Sequence, residues 1–208
     1  MKSVDAKAAS ISDLSADFEQ KKFTPLLKKP MISSGTVLAK GAAMLWTTRA
    51  PEPTVMRVDE RELSIYYQNQ KTVEIYPISG QMAQMAASPV PRLAALLEHF
   101  SFAPAGEDEF GEKVDAGRLA LRMVPTDPAI REHVDKVTVL IDTERGFILA
   151  FTLIDADAER TEIRFSNVRI NTKLDEAQLK LRLPAGVKTV HPLEELGSPP
   201  SNTGATSK

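Results

Sequence analysis

Short runs of alternating apolar and polar residues follow one another from Phe23 to Pro77: "TVLAK", "AMLWTT", "TVMRV", "LSIYYQ" and "TVEIY". They are separated by turn-forming "APEP", "DERE" and "QNQK", a rhythm that predicts an antiparallel meander of about five strands. A second set, "GRLALRMVP", "DKVTVLIDT", "GFILAFTLID", "RTEIRFSNVRI" and "AQLKLRLP", predicts about five more. Two-residue periodicity puts Leu119, Leu121 and Met123 on one face, and likewise Phe147, Leu149, Phe151 and Leu153. The pattern shifts between the two sets. "SGQMAQMAAS" and "PVPRLAALLEHF" are rich in Ala, Met and Leu, with prolines near the start of the second, and predict two short helices. Ahead of the first strand, residues 10–22 predict an amphipathic helix, capped by Ser10 or Ser12, with Ile11, Leu14 and Phe18 on one face.

The order is that of an α+β fold: an open antiparallel sheet of about 10–11 strands, with three short helices to cover it. One domain over 10–197 is expected, preceded by a flexible segment 1–9 and followed by a disordered tail 198–208, which is small, polar and proline-containing. At 208 residues the chain can bury one substantial core.

Charge changes this picture little. The 26 Lys and Arg residues nearly balance 28 Asp and Glu, so no overall field draws the chain to nucleic acid or to an anionic membrane, and only transient membrane contact is expected. Any apolar partner has to be held by burial. The 42% hydrophobic content includes no stretch near the ~18 uninterrupted apolar residues of a helical membrane span. Cysteine is absent, which removes disulfides, thiolate catalysis and Cys-ligated zinc.

Candidate chemistry is sparse. His99, His133 and His191 have no second ligand at a helical or strand spacing, so no metal is expected. "DADAE" begins like a calcium loop, but Arg160 and Ser166 stand where Gly and Glu are needed, and it reads as a hairpin turn. "EDE" at Glu107 to Glu109 reads as a solvated loop run. No G-x-S-x-G, H-E-x-x-H, P-loop or G-x-G-x-x-G occurs, so no catalytic residue is expected. The apolar positions Met82, Met85, Leu93, Leu96 and Leu97 fit two readings: ordinary helix-to-core packing, or a lid whose pliable methionines accommodate ligands of varied shape.

One long segment, "ADFEQKKFTPLLKKPMISSGTVLAKGAAMLWTTRAPEPTVMRVDERELSIYYQNQKTVEIYPI", resembles the N-terminal half of the LolA-type outer-membrane lipoprotein carriers. The shared features are a helix ending in Phe and Gln, a Ser-Gly before a strand, a Leu-Trp step, a Pro-containing turn and a strand with paired aromatics. "LKLRLPAGVKTVHPL" is similar to the closing strand of that family, and the resemblance spans roughly residues 12 to 192. It implies an open antiparallel half-barrel with a helical lid, no cofactor, and a periplasmic location with the signal peptide removed. The family's cargo is the acyl chains of lipoproteins or a related lipid, loaded by an inner-membrane transporter and released to an outer-membrane receptor.

On this resemblance a concave face would be lined by Leu38, Met44 and Trp46, by Met56, Ile65 and Tyr67, and by Leu121, Leu149 and Phe151, under a lid carrying the Met and Leu positions above. Gly41, Ala42 and Ala43 would mark a bend or a place where bulk is avoided. The best known carriers have an Arg-Pro pair before the Trp, and that Arg latches the lid. Here Gly41 falls at that place, beside Lys40, and a lysine lacks the bidentate fork of an arginine. A divergent carrier is expected, with a receptor or envelope-stress sensor of the same fold as the alternative. The receptor or sensor would bind a protein in place of lipid.

Overall fold

The computed structural model describes residues 2–78, 88–111 and 114–193. A single twelve-stranded sheet dominates. Its first meander comprises β1 (Asp13–Phe23), β2 (Met31–Lys40), β3 (Ala43–Ala50), β4 (Thr54–Val58), β5 (Glu62–Tyr67) and β6 (Thr72–Pro77). Its second comprises β7 (Phe100–Pro104), β8 (Arg118–Pro125), β9 (Val134–Asp142), β10 (Phe147–Asp155) and β11 (Arg160–Ile170). β12 (Lys188–Val190) closes the chain's described part. The order across the sheet is β12-β6-β5-β4-β3-β2-β1-β11-β10-β9-β8-β7. Neighbours are antiparallel except for β12, which runs parallel to β6. Among the described residues three short helices accompany the sheet: α1 (Lys2–Ala9), α2 (Leu93–Leu96) and α3 (Pro128–Arg131).

Nine of the ten expected strand segments are present, while the expected helix over 10–22 is not. That segment is β1, and the helix lies ahead of it, over residues expected to be a flexible leader. Leu14 and Phe18 satisfy a four-residue helical step, but Leu14, Ala16 and Phe18 also satisfy a two-residue step, and it is these three that are buried. Pairing on both edges, Phe18 with Gly35 and with Phe165, overrides the local helical preference. "AQLKLRLP" is not a strand: Glu176–Leu179 forms a 3₁₀ turn, capped by Asp175 and Gln178 in a reciprocal box. Of the two helices expected between the meanders, the second is only the turn α2, and the first falls outside the described residues, as does the tail 198–208.

Register fixes which side chains share a face. Val37, Trp46, Met56 and Ile65 are successive cross-strand partners, and so are Leu121, Val139 and Phe151. These residues point into the concave side. The first meander's opposite face is covered by the chain after β11. Leu179 is buried there, Lys40 Nζ donates to the Leu174 carbonyl at 2.8 Å, and Arg57 Nε to that of Leu179 at 3.2 Å. The loop around Phe110 does the same for the second meander, packing on Ala120, Leu140 and Ala150.

β1 is the seam between the meanders, and a glycine makes the seam close. A Cβ at Gly35 would lie 1.9 Å from the Thr47 carbonyl oxygen and 2.8 Å from Phe18 Cε1. The Phe18 ring therefore crosses the gap over β2 and meets Trp46 at 4.9 Å between centroids. Phe165 stands 5.7 Å from Trp46, and Phe151 6.3 Å from Phe165.

The seam's other end is tied by Asp13, which is 3% exposed. Its carboxylate accepts hydrogen bonds from the Thr172 and Lys173 amides and from the Thr172 and Ser12 hydroxyls. Burial pushes this carboxyl up, but those donors together outweigh it and hold the group below the usual carboxylate range.

Two outcomes are expected. Gly35→Ala should lower stability by about 2 kcal/mol in urea unfolding, because β3 has to move to admit the methyl. Asp13→Asn should lower the urea midpoint at neutral pH. A depressed folded pKa stabilises above the unfolded value near ~4 and stops doing so as pH falls through the folded value, so the gap from wild type should shrink below about pH 4.

Candidate functional site

The sheet parts at one end. β10 and β11 pair from Ile154–Arg160 to Ala150–Arg164, and beyond this β11 continues alone with β1 to Ile170, and β10 alone with β9 to Phe147. The amide of Ile148, left without a β11 partner, donates to the Pro89 carbonyl at 2.7 Å. This bond pins the segment 88–97 over the concave face of the second meander.

Between that segment and the sheet lies a cavity of about 400 Å³. Its floor is Met123, Val139, Ile148, Phe151 and Leu153; its roof is Val90, Leu93 and Leu96. The size falls within the roughly 300–1,000 Å³ of small-molecule sites. Arg92, Glu98 and His99 stand at its polar rim. His99 Nδ1 lies 3.2 Å from an Asp127 carboxylate oxygen, so the histidine is engaged with a neighbouring loop. A second hollow, of about 580 Å³, lies beyond the same segment against α1, Leu14 and Lys40.

α1 and α2 meet at the mouth. α2 has no capping side chain of its own, and Asp5 of α1 supplies one: its carboxylate accepts from the Leu93 amide at 2.8 Å and the Ala94 amide at 3.1 Å. α1 is seated in turn on the β9–β10 turn, where a Cβ at Gly146 would fall 2.6 Å from the Lys7 Cβ. Val4 and Ala8 of α1 are buried.

The expected lining residues divide. Phe151, Leu93 and Leu96 line the cavity. Met44, Trp46 and Leu121 are buried in the same concave cluster, with Met56 packed against it. By register Ile65 and Tyr67 belong to this face too, and Tyr67 donates to Glu74, which also accepts from Tyr76 at 2.8 Å.

Two residues do not follow the expectation. Leu38 pairs with Leu45 on the opposite face, one residue out of step with Val37. Leu149 is the extra residue of a β-bulge, because Ile148 pairs with Ile141 and Ala150 with Leu140. The bulge reverses parity, so Ile148 joins Phe151 and Leu153 while Leu149 only packs partly on either cluster. Leu97 is exposed. Met82 and Met85 lie outside the described residues. Lys40 bonds to the convex side and makes no latch to residues 88–97 among the described residues, and Gly41, with φ of +59°, forms the β2–β3 turn.

The residues missed from sequence are Ile148, Val139 and Asp5. Period-two alternation alone cannot locate a bulge, whereas Val4 and Ala8 one helical turn apart did signal α1.

The sequence profile described as "Outer membrane lipoprotein carrier protein LolA" matches residues 9–182. The chain belongs to the LolA family. An outer-membrane lipoprotein carrier protein of Dechloromonas aromatica (strain RCB) is 26% identical over 178 residues, spanning 85% of this chain and 80% of that one. The crystal structure of an uncharacterized conserved protein from Thermus thermophilus superposes with a TM-score of 0.56 at 14% identity, covering 91% and 95% of the two chains. That likeness is one of fold. A MucB chain in its complex with MucA from Pseudomonas aeruginosa is more loosely similar, with a TM-score of 0.48 at 13% identity over 87% of this chain and 59% of that one. As a LolA-family chain, the protein is a carrier-type fold: an open sheet with a concave apolar face.

Asp5→Ala should release α2 while leaving the sheet intact. The Leu93 and Ala94 amides should exchange with deuterium at least tenfold faster, matching the ~1 kcal/mol or more lost with a helix cap, while the β1 amides stay protected.

Proposed function

We propose that this LolA-family chain is a periplasmic carrier that shelters the acyl chains of lipoproteins, or of a related lipid, on their way from the inner to the outer membrane. The apolar cavity under residues 88–97 carries the reading. Each methylene moved from water into such a site is worth ~0.8 kcal/mol, so even one partly buried acyl chain is held firmly without a charged contact. The indole Nε1–H of Trp46 is buried without an acceptor among the described residues, and an ester or amide carbonyl on the cargo would satisfy it. The family further suggests loading by an inner-membrane transporter and release to an outer-membrane receptor.

The filled centre of the bowl favours a second reading. Trp46, Phe18 and Phe165 already occupy the middle of the concave face, as expected of a receptor or envelope-stress sensor that binds a protein partner.

A fluorescent palmitoyl probe and native mass spectrometry of protein taken from its own cell envelope separate the two. Carriage requires saturable probe uptake and acylated protein or lipid in the extract. Phe151→Ser and Leu153→Gln should each weaken the probe about tenfold, the loss of roughly two methylenes' worth of contact. A lipid-free protein that takes up no probe, but retains a defined protein partner, would establish the second reading.

A further inference from the structure

The end of the sheet opposite α1 carries a feature that cavity and carrier reading leave unused. β2 pairs with β3 only from Ser34 to Lys40, so Met31, Ile32 and Ser33 continue past β3 with β1 as their sole neighbour. On the other side β1 is paired with β11 as far as Phe23 and Arg160, where the cation of Arg160 stacks on the Phe23 ring at 4.0 Å. The hairpin thus has a braced stem and a free tip, residues 24–30, "TPLLKKP".

That tip is apolar where nothing in the structure covers it. Leu26 is 91% exposed, and Leu27, Met31 and Ile32 are each about half exposed. Four of the large hydrophobic residues that face solvent are therefore concentrated within seven positions. Charge complements them. From Gln20 to Pro51 there are six basic residues, Lys21, Lys22, Lys28, Lys29, Lys40 and Arg49, and no acidic one. Lys21 and Lys22 pair with Glu19 and Glu159 on the stem, and Lys40 is used on the convex face. Lys28 and Lys29, beside the two leucines, are exposed and make no ion pair among the described residues. Glu52 and Asp157, in the β3–β4 and β10–β11 turns, lie outside the hairpin.

We propose that the β1–β2 hairpin tip docks on an anionic phospholipid bilayer, with Leu26 and Leu27 seated at the acyl boundary and Lys28 and Lys29 against lipid phosphates. Apolar residues and lysines side by side on one small projection match the two layers of a membrane interface, which a partner groove of either kind alone would not. The braced stem costs nothing to order on contact. The inference goes beyond the cargo reading, because an empty protein has the same tip.

The absence of cysteine makes the test direct, since one introduced thiol reports one place. Leu26→Cys and, at the opposite end in the β9–β10 turn, Glu144→Cys are each labelled with an environment-sensitive nitrobenzoxadiazole dye. They are mixed with phosphatidylcholine vesicles containing about 30 mol% phosphatidylglycerol. The dye at 26 should brighten and shift to the blue, and the dye at 144 should not change. In vesicle sedimentation with unlabelled protein, Lys28→Gln with Lys29→Gln should weaken binding about fivefold per lysine at low salt. Leu26→Ser with Leu27→Ser should weaken it at least tenfold. All four positions are exposed, so urea midpoints should stay at the wild-type value. Equal binding by these variants, no response at 26, or light scattering that shows the leucines holding two copies together without vesicle binding would overturn the proposal. Vesicle docking by wild-type protein that takes up no palmitoyl probe would overturn the cargo reading and leave this one standing, and probe uptake without docking would do the reverse.

Discussion

Everything in this molecule depends on β1 bonding to two strands far from each other in sequence. Its pairing with β2 is local; its pairing with β11, Phe18 against Phe165, joins chain segments about 150 residues apart. Only this seam makes two meanders one sheet. The aromatic line across it, from Phe18 through Trp46 and Phe165 to Phe151, is a packed ridge whose tilted rings add about 0.5–1.5 kcal/mol per pair to the burial itself. It exists because Gly35 leaves the ring of Phe18 a path over β2.

An open sheet has to cover its apolar faces without closing on itself. Here the covers are short irregular segments fixed by backbone hydrogen bonds, and the strength of the covers differs. The convex side is tied down through Lys40, Arg57 and the Asp13 network. Among the described residues, the concave side of the second meander is closed by a four-residue helix, a bond from the Ile148 amide, and a carboxylate borrowed from α1. The weaker cover lies over the cavity, where a carrier requires the least resistance to opening.

The sheet was legible because its strands alternate strongly and are bounded by turn residues; the faces were legible only where one residue of each pair was polar. In "TVLAK" both Val37 and Leu38 are apolar, so local pattern cannot say which points inward, and pairing with Trp46 decides it. In "FILAFTLI" the bulge at Leu149 shifts the count, a property of the partner strand and invisible in β10 itself. β1 was misread because Leu14, Ala16 and Phe18 are flanked by good helix formers such as Glu19, Gln20 and Lys21, and only two distant partners make it a strand. Asp5 went unseen for the same reason: a cap supplied from 88 residues away leaves no local signature.

The three-residue strand β12 has a temporal consequence. β6 would be the edge of the first meander, with its outer row of amides and carbonyls bare to any passing strand. The residues that cover that edge, Lys188 to Val190, are made after every other described strand, and β11, which covers the far edge of the same meander, is made just before them. A chain emerging in order therefore carries a meander open on both sides until β11 is available, and on one side until β12 is. Its most vulnerable period for mispairing comes before completion, while the edges of the first meander are bare.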